Sequence, residues 1–133
     1  MNLTAQLVLG RAETVAIPAR FTYDRQDPFT VLMEIPGPDD RDNSRWNFAR
    51  DLLQWGLHRP SGEGDVRIWP PCHCNNRPDV RILLCDSTGS ALVDFPSQPL
   101  REWLVRTWEA VPPGEENAWI DWDAVVGRLL PGC

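Results

Sequence analysis

The sequence predicts an α+β domain in which antiparallel strands dominate and the helices sit on one face or at one end. Two observations carry this expectation. Apolar residues recur at every second position through the first third of the chain, whereas the last third repeats them at helical spacing. Between these regions, Pro- and Gly-rich turns bound each apolar run. At 133 residues the chain fits one domain over 1–133, and it can bury a core without metal or disulfide support.

Leu3, Ala5, Leu7 and Leu9 alternate with Thr4, Gln6 and Val8, the pattern of a strand with one buried face. A turn at Gly10-Arg11 leads to a second strand over 13–23, with Val15, Ile17, Ala19, Phe21 and Tyr23 in alternation. Pro18 within it predicts an edge position or a bulge, because proline donates nothing to a ladder. After Asp27-Pro28, residues Phe29, Val31, Met33 and Ile35 mark a third strand. Residues 36–43 form a polar loop. A helix follows, either capped by Ser44 or starting at Asn47 after an extended stretch through Trp46. Phe48, Leu52 and Trp55, with Ala49 and Leu53, define its apolar face, leaving Arg50 and Asp51 outside. Gly56 suits the left-handed position that ends a helix.

Strands are next expected at Val66–Trp69, over 79–86, and from Ala91 to Phe95 across a Ser87–Ser90 turn. Ser97 and Pro99 suit the start of a helix carrying Leu100, Trp103, Leu104, Thr107, Trp108 and Val111, which Pro112-Pro113-Gly114 stops. Trp122, Val125, Val126 and Leu129 predict a last short helix. The order is β-β-β-α-β-β-β-α-α.

Charge narrows the function. The net charge is −6, with 19 carboxylates against 13 cations, so the field opposes nucleic acid, whose binders depend on a basic footprint. All of the cations are arginine, as GC-rich coding favours, and Arg also suits interfaces. No stretch reaches the length of a membrane span, and residues 1–7 lack a basic region followed by an apolar run. A cytoplasmic protein is expected.

No catalytic constellation emerges, and no cofactor is expected. His58 reads as a loop residue rather than a general base, alone or with Glu63 or Asp65. Gly62-Glu63-Gly64 lacks the Lys-Ser/Thr of a phosphate loop and reads as a tight turn. Asp121 and Asp123 lack the rest of a calcium loop. Cys72-His73-Cys74 with Cys85 offers metal-ligating atoms, yet one intervening residue is too few for a zinc knuckle, so free thiols are expected. Seven tryptophans exceed what one small core holds easily. Trp103 and Trp108 are assigned to the core and Trp119, among acidic neighbours, to an interface, which points to binding rather than catalysis.

Residues 48–70, Phe48-Ala49-Arg50-Asp51-Leu52-Leu53-Gln54-Trp55-Gly56-Leu57-His58-Arg59-Pro60-Ser61-Gly62-Glu63-Gly64-Asp65-Val66-Arg67-Ile68-Trp69-Pro70, resemble the central signature of the SsgA-like proteins. Arg20-Phe21-Thr22-Tyr23-Asp24, Asp27-Pro28-Phe29, Phe95-Pro96 and Val111-Pro112-Pro113-Gly114-Glu115-Glu116 extend the resemblance over most of the chain. It implies a β-rich domain similar to the whirly-type fold, assembling as a homo-oligomer such as a trimer. It implies a non-enzymatic role in sporulation-specific cell division of actinobacteria. The implied partners are the tubulin-like division GTPase, other septum-placing family members or cell-wall remodelling enzymes, met at division septa. The Cys72-His73-Cys74 stretch departs from the pattern, and Trp55 stands at a variable position. Arg50, Asp51, Arg59, Asp65, Arg67 and Trp119 are the interface candidates; the first five could instead pair with one another.

Overall fold

The structure, a computed structural model, describes residues 1–36, 43–72 and 77–119. Among the described residues eight strands are present: β1 (Asn2–Val8), β2 (Thr14–Tyr23), β3 (Thr30–Ile35), β4 (Ser44–Ala49), β5 (Ser61–Glu63), β6 (Val66–Trp69), β7 (Asp79–Asp86) and β8 (Gly89–Pro96). Helix α1 (Arg50–Gly56) follows β4 directly, α2 (Ser97–Ala110) follows β8, and a short 3₁₀ turn spans Glu116–Trp119. The strands form one antiparallel sheet in the order β4-β3-β2-β1-β8-β7-β6-β5. Every pairing but β1–β8 joins strands adjacent in sequence, so the sheet consists of two four-stranded meanders sutured at Gln6–Asp94 and Leu7–Val93.

Two strands exceed the sequence expectation. Ser44 does not cap a helix; the chain is extended through Trp46, as the second sequence alternative has it, and on to Ala49, so the helix begins after Ala49 rather than at Asn47. Its periodicity therefore cannot be extrapolated back through Phe48, and the face shifts: Arg50, Leu52, Leu53 and Gly56 are buried while Trp55 is 46% exposed. Strand β5 contains only Ser-Gly-Glu, which carries no apolar alternation to read. The expected helix around Trp122–Leu129 lies outside the described residues, as do His73, Cys74 and Cys133.

Pro18 opposes Thr4 within an unbroken β1–β2 register. It is tolerated because β3 pairs only with Arg20–Tyr23, leaving that part of β2 with one open side. Ser97 does not cap α2: Pro96 holds the N-cap position without a side-chain bond. Cys72 is disulfide-bonded, which corrects the expectation of a free thiol, and it exchanges two backbone hydrogen bonds with Arg77 across a short bridge. Cys85 is free.

One face of the sheet supplies the core. The register aligns Leu7, Val93, Ile82 and Ile68 across β1, β8, β7 and β6, and Phe21 with Met33 and Trp46 across β2, β3 and β4. Helix α2 covers this face with Leu100, Trp103, Leu104 and Thr107, whose spacing makes one stripe. Phe21 stands edge-on to Phe95 at 5.3 Å and leans on Trp103 at 5.5 Å, a favourable aromatic geometry.

Sheet curvature leaves part of the face open. Leu7, Ile17, Ile35, Trp46, Leu84 and Val93 line an apolar recess of about 460 Å³. Residues from β3 and β4 thus share a recess with residues from β7 and β8, placing the two halves of the sheet opposite each other.

Candidate docking surface around the signature segment

The signature residues divide into two sets. Arg50, the first residue of α1, is 1% exposed despite its charge. Its Nη1 donates to the carbonyls of Thr107 at 3.1 Å and Val111 at 2.8 Å, and Nη2 donates to Glu116 Oε1 at 2.8 Å. The guanidinium lies 4.9 Å from the Tyr23 ring centre, a cation–π contact. Glu116 Oε2 accepts from the Gly114 N–H at 2.8 Å. Burial alone would raise the Glu116 pKa, but hydrogen bonds from its own backbone N–H, Arg50 and Gly114 outweigh that and hold it below its ordinary value.

This network explains how α2 ends. The Thr107 carbonyl accepts both the Val111 N–H at 2.9 Å and the Arg50 fork, which also satisfies the Val111 carbonyl just past the helix. Arg50 therefore ties the strand–helix junction to the chain end of α2 and offers no surface to a partner. It pairs with Glu116, a residue of the second family-like motif, rather than with a charged neighbour in its own segment.

Gly56 is a second buried signature position. It lies inside the last turn of α1, and its φ is not positive, so it is not the left-handed terminator expected from sequence. A Cβ there would overlap Ile68 Cγ2. Glycine lets α1 lie directly on β6, with Leu52 and Leu53 entering the same core.

The remaining set faces outward. Asp51, Arg59, Asp65 and Arg67 are all exposed. Among the described residues the ion pairs are Arg45–Glu34, Arg50–Glu116 and Arg81–Asp94, so these four do not pair with one another. Arg59 is instead 6.0 Å from the exposed Trp55 ring. Arg101 Nη2 donates to the Leu57 carbonyl at 3.3 Å, fixing the turn after α1 to α2.

The β5–β6 hairpin carries Arg67. Gly64 takes the positive φ of 58° that the turn demands, and Gly62 leaves space for the Arg67 stem, since a Cβ would stand 3.2 Å from its Cγ. Pro60, Ser61, Gly62, Glu63, Gly64, Arg67 and Trp69 line a recess of about 410 Å³ on this hairpin. All of its walls come from the signature segment. Arg beside a half-buried Trp is the composition of an interface anchor.

Trp103 is core and Trp108 packs partly against it. Trp119 closes the 3₁₀ turn, and its side chain lies outside the described residues. His58 is exposed and its backbone N–H completes the turn to Trp55 at 3.0 Å. Among the described residues no group of three or more metal-ligating side chains converges, and no helix is long and apolar enough to cross a membrane.

The outward set, the Arg50–Glu116 pair and Gly56 would have been missed by local pattern reading alone. Their signal was the likeness of 48–70 and 111–116 to one family, which marks positions without saying which are structural.

Comparison with known proteins agrees with this geometry. Residues 17–116 match the family described as "Streptomyces sporulation and cell division protein, SsgA". The sporulation-specific cell division protein SsgB of Streptomyces coelicolor is 38% identical over 97% of this chain and 93% of its own length. Its counterpart in Thermobifida fusca is 39% identical over 94% and 89%. A crystal structure of the SsgA-like sporulation-specific cell division protein from T. fusca superposes with a TM-score of 0.81 at 37% identity, covering 98% of this chain and 93% of that one. A second, from work on SsgB mutations and longitudinal cell division during sporulation of S. coelicolor, gives the same score at 39% identity over 90% and 92%. The chain belongs to the SsgA family of sporulation and cell division proteins.

Proposed function

We propose that this chain is a non-enzymatic docking protein for sporulation-specific cell division, working as one SsgA-like domain. The observation that supports it most is the division of the signature segment. One set of its residues builds a rigid helix–hairpin support, and the other presents Asp51, Arg59, Asp65 and Arg67 to solvent, without ion pairs among the described residues, around a signature-lined recess. Charged side chains that neither stabilise the fold nor pair with each other are available to a partner.

The partner is a protein of the division or wall-remodelling machinery; the relatives' role in sporulation-specific cell division supports the first of these. The tubulin-like division GTPase and septum-placing family members are the first candidates, and a homo-oligomer such as a trimer at the septum is the working form. A whirly-like sheet does not make it a nucleic-acid reader, since function depends on the site. Phe21 and Trp103 are buried in the core and unavailable for base stacking, and the net charge is −6.

Deletion of the gene in its host tests the proposal. Loss or misplacement of septa in aerial hyphae is expected; normal septation and wall morphology would contradict it.

A further inference from the structure

Among the described residues the curled sheet has two free edges, β4 and β5, and they border a common cleft. Its volume is about 280 Å³, and its walls are Trp46–Ala49 on β4 and Glu63–Val66 on the β5–β6 turn. Four consecutive residues on each side mean that the backbone itself forms much of the lining.

The direction of the β4 backbone follows from one bond. The Arg50 N–H donates to the Phe29 carbonyl at 2.7 Å, in a ladder where Ala49 faces Thr30 and Phe48 faces Val31. Arg50–Phe29 is thus a hydrogen-bonded pair, and such pairs alternate along an antiparallel ladder. Phe48, Trp46 and Ser44 turn their N–H and C=O toward β3. Asn47 and Arg45 turn theirs away, toward the free edge, as does the Ala49 N–H, and among the described residues nothing bonds these groups; the Ala49 carbonyl, at the N-cap, instead opens the bonding of α1. A row of unpaired main-chain groups is a template for another strand.

The facing wall gives the sign of the occupant. Glu63 and Asp65 are exposed and enter no ion pair among the described residues. We infer that this cleft receives an extended, cationic segment of a partner protein, which pairs with the outward edge of β4 and sets its Lys or Arg side chains on Glu63 and Asp65. A second copy of the chain fits less well, because it brings a net charge of −6. The inference rests on the docking reading above and names the chemistry of one partner segment.

The test is titration of the full chain with a synthetic peptide of alternating lysine and valine, read by amide hydrogen exchange and by affinity. Saturable, salt-sensitive binding is expected, with slower exchange at Arg45, Asn47 and Ala49. Asn47→Pro removes an outward N–H without touching the β3 ladder and should weaken binding about tenfold. The Glu63→Gln/Asp65→Asn double variant, remote from β4, should weaken it independently and decides the matter should Asn47→Pro unfold. Unchanged exchange at the three amides, or equal binding of a glutamate–valine peptide, would overturn the inference. So would self-association that Asn47→Pro abolishes, which assigns the edge to a second copy. Binding seen only after removal of residues 120–133 would assign the edge to the chain's own C-terminal segment. A failed titration leaves the septation proposal standing, whereas normal septation after gene loss removes that proposal and not this site.

Discussion

Arg50 and Arg67 stand in one signature segment and do opposite work. Arg50 is 1% exposed and bonded to two carbonyls and a carboxylate. Arg67 is exposed, leaves its charge in solvent and lines a recess. A family signature therefore marks two kinds of constraint, and only burial and partners separate them.

The comparison breaks most visibly at Arg50. Arg50→Ala leaves Glu116 buried without its counter-charge and takes the side-chain donor from the Val111 carbonyl, so a loss of about 3–5 kcal/mol is expected in urea denaturation. Arg50→Lys should recover only part of this, because one ammonium cannot reproduce the two-armed fork. Next in size is Gly56→Ala, which forces α1 away from Ile68 and should cost about 1–3 kcal/mol by the same measurement.

Acid sharpens the contrast further. Glu116 binds its proton more weakly when folded than at its ordinary value of 4.5, so the folded state gains stability from it above that value. This contribution is lost as pH falls through the lowered folded value. Urea midpoints measured down through the carboxylate range should fall more steeply for the natural chain than for Glu116→Gln. Smallest is Arg67→Ala, expected to stay within about 0.5 kcal/mol of the natural stability while impairing septation.

Much of the fold was legible because burial of one sheet face enforces period-two alternation: β1, β2, β3, β6, β7 and β8 follow it. β4 was legible only as the extended alternative through Trp46, since Phe48, Leu52 and Trp55 satisfy helical spacing and the segment runs into α1 without a turn. β5 offers no apolar residue, and its pairing is set by the Gly64 turn. Arg50–Glu116 spans 66 positions, and no local pattern can announce a contact of that range. Arg59 and Arg67 were identifiable as candidates through the likeness of 48–70 to one family, but their freedom from ion pairs among the described residues required the geometry.

The central claim is that the outward half of the signature docks a partner while the inward half folds the chain. Replacing the gene in its host with an Arg59→Glu/Arg67→Glu variant tests it most directly, once the purified variant shows the natural melting temperature. A correctly folded protein with absent or misplaced septa is expected. Normal septation by that variant would contradict it.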